Sequence, residues 1–211
     1  MKFTNQEGIE IVETIIACIQ KNRDYLSEID GAIGDGDHGI NMNKGFTLAK
    51  EALTGEENMS TGFQIISKML MSKIGGSMGP LYGNFFRGLY VASKQHEEID
   101  GQIIGEMLDK AYDNIKKISP AKVNDKTLVD VLDPAIYAYH KEFDASQDVN
   151  KALTEMVGAS QAGLEATKHM VAKLGRASRL GERSKGHQDA GATSAQLILE
   201  SFADGCKKLL R

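Results

Sequence analysis

Apolar residues return every three or four positions along almost the whole chain, the spacing of one helix face rather than the alternation of a strand. Ile9, Val12, Ile16 and Ile19 open the first stripe, behind a Thr4-Asn5-Gln6-Glu7 segment of capping-box form, and this helix is expected to run into the loop that begins at Asp30. Met42, Phe46, Ala49 and Leu53 draw a second stripe, and Phe63, Ile66, Met69, Leu70 and Ile74 a third. Leu81, Phe85, Leu89 and Ala92 mark the fourth, Ile103, Met107, Leu108, Ala111 and Ile115 the fifth. Leu128, Val131, Leu132, Ala135 and Tyr139 mark the sixth, with Pro134 predicted to bend it. Leu153, Met156, Val157, Leu164, Met170, Val171 and Leu174 trace a long seventh, and Leu197, Ile198, Phe202, Cys206, Leu209 and Leu210 an eighth. No stretch alternates like a half-buried strand. The pattern predicts an all-α chain of eight antiparallel helices, each with one apolar stripe, as a bundle or closed barrel requires.

Composition narrows what such a chain does. With 211 residues, 41% of them hydrophobic, one domain spanning residues 1–211 is expected. A net charge of -4 without a polybasic stripe argues against nucleic acid as a partner. No apolar run approaches the roughly 18 residues of a membrane span. Cys18 and Cys206 fall in helical pattern and no leader-like segment opens the chain, so a reducing cytoplasm is the expected compartment.

The informative interruptions are glycine-rich. Asp30-Gly-Ala-Ile-Gly-Asp35-Gly-Asp37-His38-Gly39 sets three carboxylates among four glycines. Gly34, Gly36 and Gly39 spell G-x-G-x-x-G, a pattern that cradles a pyrophosphate when it follows a strand. An all-helical chain offers no such strand. Asp35 and Asp37 would moreover repel a diphosphate unless hard cations lay between. An EF-hand from Asp35 is excluded, because Ile40 and Phe46 stand where it needs Gly and Glu. A solvated turn or a Mg²⁺ site remains, the latter suited to carboxylates completed by water and phosphate oxygens.

Two further loops carry candidate chemistry. Gly75-Gly76-Ser77-Met78-Gly79-Pro80-Leu81 has the glycines and early proline of an anion cradle at a helix N-terminus, or of a plain connector. Between the seventh and eighth stripes lies a basic run from Gly175 to Gly191, in which Arg176 is placed for ligand contact and Asp189 also suits an N-cap.

Together, G-D-G-D-H-G at 34 to 39, G-G-S-x-G-P-L-Y at 75 to 82, D-K-T at 125 to 127 and G-R-A-S-x-L-G-E-R-S-x-G-H-Q-D at 175 to 189 resemble the nucleotide-binding L subunit of dihydroxyacetone kinase, in order and across nearly the whole chain. The resemblance implies an eight-helix barrel with ADP or ATP and two Mg²⁺ at one end. It implies Asp30, Asp35 and Asp37 as metal ligands, and His38, Gly39 and Asn41 beside the phosphates, the His38 ring donating a hydrogen bond. Ser77 and Met78 would lie over the phosphates, Leu128 near the adenine, Arg176 near the nucleotide, and Asp189, Ala190 and Gly191 in a closing loop. Met78 stands where the family carries a small hydroxyl residue, Ala190 where it commonly carries proline, and Asn124 where it commonly carries glycine.

A freestanding chain of this size resembles the phosphoenolpyruvate-dependent type of subunit. The implied partners are a dihydroxyacetone-binding kinase subunit and a phosphohistidine-donating phosphotransferase subunit, with the nucleotide resident and no side chain acting as nucleophile. Two alternatives stand beside this expectation: a nucleotide sensor that docks on a transcription activator, and a paralogue acting with another small keto- or aldo-sugar.

Overall fold

A computed structural model describes residues 1–211. The stripes fold into nine α-helices: α1 (Ile9–Lys21), α2 (Arg23–Ile33), α3 (His38–Ala52), α4 (Met59–Lys73), α5 (Met78–Ser93), α6 (Gly101–Ile118), α7 (Val129–Ser146), α8 (Val149–Ala166) and α9 (Ala190–Leu209). The ninth arises because the first expected helix is two. Asn22 ends α1 by donating from its side chain to the Cys18 carbonyl at 2.9 Å, and the chain restarts as α2 at the next residue. The capping box ahead of α1 is formed, with the Thr4 amide and hydroxyl donating to Glu7 Oε2 and the Glu7 amide donating back to Thr4 Oγ1.

Two further departures have physical causes. Lys2–Thr4 (β1) pairs antiparallel with Glu98–Asp100 (β2), Phe3 opposite Ile99, in strands too short for alternation to register. The seventh expected helix stops at Ala166 rather than running to Leu174. Beyond one 3-10 turn, Thr167–His169, the chain is drawn off the helical path by distant partners. The Ala172 amide donates to Ser184 Oγ at 2.9 Å and the Lys173 amide to the Asp125 carbonyl at 3.1 Å. A second 3-10 segment, Arg176–Ser184, completes the connection to α9.

α7 continues through Pro134 without a break. Proline offers no N–H to the Asp130 carbonyl one turn back, and α8 lies against that carbonyl where residue 163 is glycine; a β-carbon there would sit 2.2 Å from the oxygen.

Helices adjacent in sequence pack together from α2 to α9, α9 packs on α1, and α1 lies against α3 and α4. One cluster of 46 buried apolar residues, from Phe3 to Leu210, runs through all nine helices, so a single core supports every loop that follows. At one end Asn5 is buried and satisfied by Ser60, Ser93 and His96. At the other, the α2–α3, α4–α5, α6–α7 and α8–α9 connections surround one cleft.

Candidate functional site

Four helices begin at this cleft. Asp37 precedes α3, Ser77 precedes α5, Leu128 precedes α7 and Asp189 precedes α9, and all four residues line a cavity of about 790 Å³. The first turn of a helix presents amides without intrahelical acceptors and the positive end of its dipole. Of these four, α9 alone is capped by the side chain of the residue before it, the Ala192 amide donating to Asp189 Oδ2 at 2.7 Å. In α3, α5 and α7 the residue before the helix makes no side-chain cap, although the His38 amide meets Asp30 Oδ2 and the Val129 amide meets Thr127 Oγ1. Helix starts gathered round one cavity lend it the partial positive charge that favours an anion.

The three aspartates line the same cavity, Asp30 from the last turn of α2, where the sequence pattern places the start of a loop, and Asp35 and Asp37 from the connection ahead of α3. Asp30, Asp35 and Asp37 bring carboxylate oxygens within 4.8 Å of one another. Gly36 turns the chain between the last two at φ +75°, and Gly34 leaves room for Asp30, whose Oδ1 would lie 2.3 Å from a β-carbon at position 34. Carboxylates this close repel by a few kcal/mol per pair at an effective dielectric of about 20, less the screening that half-exposed groups enjoy. Arg176 offsets part of this charge, paired with Asp35 and 3.7 Å from Asp37. Two of the three negative charges stay uncompensated, and all the donors are hard oxygens, so the trio fits Mg²⁺ chemistrywise and by charge.

Twelve of the residues singled out in the sequence line this cavity: Asp30, Asp35, Asp37, His38, Asn41, Ser77, Met78, Leu128, Arg176, Asp189, Ala190 and Gly191. Gly39 does not. A β-carbon there would lie 1.9 Å from the Arg23 carbonyl oxygen, so this glycine lets α3 close against α2. His38 lines the cavity and also reaches into the core. Its ring is buried, with Nε2 bonded to Ser194 Oγ at 2.8 Å, and burial lowers its pKa to about 4 despite the opposing pull of Asp30. Nε2 is thus engaged by α9, and the His38 amide donates to Asp30 Oδ2 at 3.3 Å.

Sequence reasoning passed over four residues that hold the site together. Tyr82 donates to the Gly191 carbonyl at 2.8 Å and contacts Ser194, tying α5 to the start of α9. Asp130 accepts the amides of Asn124 and Thr127, closing the turn ahead of α7. Lys126 lies inside that turn, 1% exposed. Lys126 and Tyr82 had a signal, in the D-K-T and G-G-S-x-G-P-L-Y motifs; Asp130 and Ser194 sit in ordinary helical pattern.

A family model described as the DAK2 domain matches residues 32–204. The chain belongs to the DAK2-domain family. Among its relatives is the ADP-binding subunit DhaL of a PTS-dependent dihydroxyacetone kinase from Lactococcus lactis, 39% identical over 88% of this chain and 90% of that one. Subunit DhaL of the PEP-dependent kinase 1 of Listeria innocua is 38% identical over 87% and 88%. The Escherichia coli PEP-dependent counterpart is 32% identical over 94% and 97%. The fold is shared with the crystal structure of the C. freundii dihydroxyacetone kinase, with TM-score 0.70 and 25% identity, over 93% of this chain and 34% of that longer one.

The three departures from the DAK2 family pattern are accommodated by this backbone. Asn124 adopts φ +73°, a left-handed conformation that asparagine tolerates better than other non-glycine residues. Ala190 is the first residue of α9, the position where proline is at home. Met78 is the first residue of α5 and packs against the core, so its side chain is spent on packing while the helix start faces the cavity.

Asp189 gives this DAK2 domain a pH signature. Burial raises its pKa to about 6, against the Ala192 amide and Lys126, which favour the charged form. A carboxyl whose folded pKa lies above its unfolded value stabilises the fold when protonated. That stability is complete below about 4 and is lost as pH rises through about 6. Asp189→Asn keeps an N-cap acceptor without the charge. In metal-free protein it is expected to melt higher than wild type at pH 7.5 and level with it near pH 4; a constant gap across that range contradicts the assignment.

Proposed function

We propose that this chain is the ADP-binding subunit of a phosphoenolpyruvate-dependent dihydroxyacetone kinase, working in the cytoplasm as one part of a complex. The observation that carries the reading is the gathering, round one cavity, of three hard carboxylates and the starts of four helices, of which only α9 is closed by its own cap residue. A nucleoside diphosphate with two Mg²⁺ would suit both sets, the carboxylates holding the cations and the helix starts favouring the phosphates. Bound there, Mg-ADP would supply the carrier chemistry, accepting a phosphoryl group from a phosphohistidine of one partner and passing it as ATP to a hydroxyl of dihydroxyacetone held by the other.

The chain's own residues have a positional task. Asp30, Asp35 and Asp37 would hold the metals. The starts of α3 and α5, with Asn41, Ser77 and Met78, would orient the phosphates. Leu128, 6% exposed, offers an apolar wall, and Arg176 and the Asp189–Gly191 turn close the cavity. Transfer of a phosphoryl group asks for positioning and charge neutralisation rather than covalent participation. In this reading no side chain forms a covalent bond to the phosphoryl group, and the buried His38–Ser194 bond serves to tie α3 to α9.

Native mass spectrometry of the purified protein is the direct test. A species heavier than the chain by one ADP and two Mg²⁺, lost on chelation and restored by adding both, is expected. A protein that neither carries nor takes up nucleotide with Mg²⁺ contradicts the reading.

A further inference from the structure

The segment from Thr167 to Asp189 carries Arg176 and leads into the turn that closes the cavity, yet its only regular structure is two short 3-10 pieces. Bonds within it, from the Gly186 amide to the Lys168 carbonyl at 2.7 Å and from the Ala172 amide to Ser184 Oγ at 2.9 Å, are joined by a buried contact from outside. Lys126, from the α6–α7 connection, donates from Nζ to the carbonyls of Ser184 at 2.6 Å, His187 at 2.7 Å and Met170 at 3.4 Å. All three acceptors belong to that segment, and an ammonium has three donors to give. The lysine is delivered by a strained turn: Asn124 and Lys126 have φ of +73° and +61°, and the Asp130 carboxylate holds the amides on either side. A left-handed lysine with a buried head is costly unless its bonds are made.

We infer that Lys126 is a positioning residue for nucleotide retention, its ammonium gathering three carbonyls of the 167–189 segment and so holding Arg176 and the Asp189–Gly191 turn over the cavity. This rests on the nucleotide-binding reading above and adds to it a determinant of how long the nucleotide stays, the property a resident cofactor needs. Lys126 acts through the segment, since its donors are taken up by protein carbonyls. Its compact ammonium suits three convergent acceptors, which the planar fork of arginine does not.

The test is the dissociation rate of a fluorescent ADP analogue with Mg²⁺, chased with unlabelled ADP. Lys126→Met is expected to raise the rate about tenfold or more, and Lys126→Arg to raise it comparably. Arg176→Ala added to Lys126→Met should cost less than the two separate effects combined, since both act through one segment. A wild-type rate in Lys126→Arg would mean that charge alone matters and would overturn the inference, as would strict additivity, or a lowered melting temperature with an unchanged rate. If Lys126→Met does not fold, Asp130→Asn loosens the turn that delivers the lysine and is expected to raise the rate more modestly; no change would count against the inference. If wild type binds no nucleotide, the functional reading fails, and hydrogen exchange still reads the positioning. Loss of protection in Lys126→Met confined to 167–189 and its contacts supports it, and unchanged protection overturns it.

Discussion

Asp35→Asn is expected to weaken Mg²⁺-dependent ADP binding by at least about a hundredfold, more than the roughly 10–100-fold that loss of a partner beyond the ligands costs a metal site, while the metal-free protein melts within a few degrees of wild type. The two halves have separate causes. Mg²⁺ binds through charged hard oxygens, and the amide that replaces the carboxylate offers a neutral and weaker ligand at nearly the same place. Stability is spared because Asp35 is 44% exposed in its side chain and its pair with Arg176 is a half-exposed one, worth about 0–1 kcal/mol. Removing its charge also relieves repulsion from Asp30 and Asp37, whose oxygens lie within 4.8 Å. Titration calorimetry with and without chelator measures the first half and thermal unfolding the second. Asp24→Asn, at an exposed α2 residue outside the cavity, is the control and should bind normally. Wild-type affinity in Asp35→Asn would remove the metal assignment.

The contrast between Asp35 and Lys126 shows what the sequence discloses. The acidic loop is legible because its chemistry is local: three carboxylates and their glycines lie within ten residues, and a turn of that length must bring them near one another. The helices are legible for the same reason, since a stripe is a property of neighbours. What depends on distant contacts is not. Lys126 acts on carbonyls 44 to 61 residues away, and nothing in D-K-T says which segment its ammonium meets. Tyr82 and Ser194, 112 residues apart, share one bond across the start of α9. The break at Asn22 is hidden because no glycine or proline marks it and apolar residues continue on both sides. The end of α8 is hidden because Met170, Val171 and Leu174 keep helical spacing while Ser184 and Asp125 hold the backbone elsewhere. Gly39 reads in the sequence only as part of a phosphate loop, and the packing role of its bare α-carbon against α2 is a distant contact that the sequence does not show.

Glycine inside a helix gives the sharpest test of this packing, because propensity and contact predict opposite signs. Replacing an exposed helical glycine by alanine stabilises by up to about 1 kcal/mol through the backbone entropy of the unfolded chain. Gly158, within α8, has nothing within 4 Å of an added β-carbon, so Gly158→Ala should raise the melting temperature by about 2–4 °C. Gly88, within α5, is buried, and its β-carbon would lie 2.3 Å from the Ala111 α-carbon, 2.5 Å from the Ala111 nitrogen and 2.7 Å from the Lys110 carbonyl carbon. These are backbone atoms of α6 that no rotamer change can clear, so the helices must part. Overpacking of this kind costs about 1–3 kcal/mol beyond the propensity gain, which for a chain of this length lowers the melting temperature by roughly 3–10 °C. The displaced helix is the one whose start carries Ser77 and Met78, so the same variant should bind Mg-ADP more weakly at temperatures where it remains folded. Equal shifts of the same sign at Gly88 and Gly158 would mean that α5 and α6 do not cross this closely, and that propensity alone governs both positions.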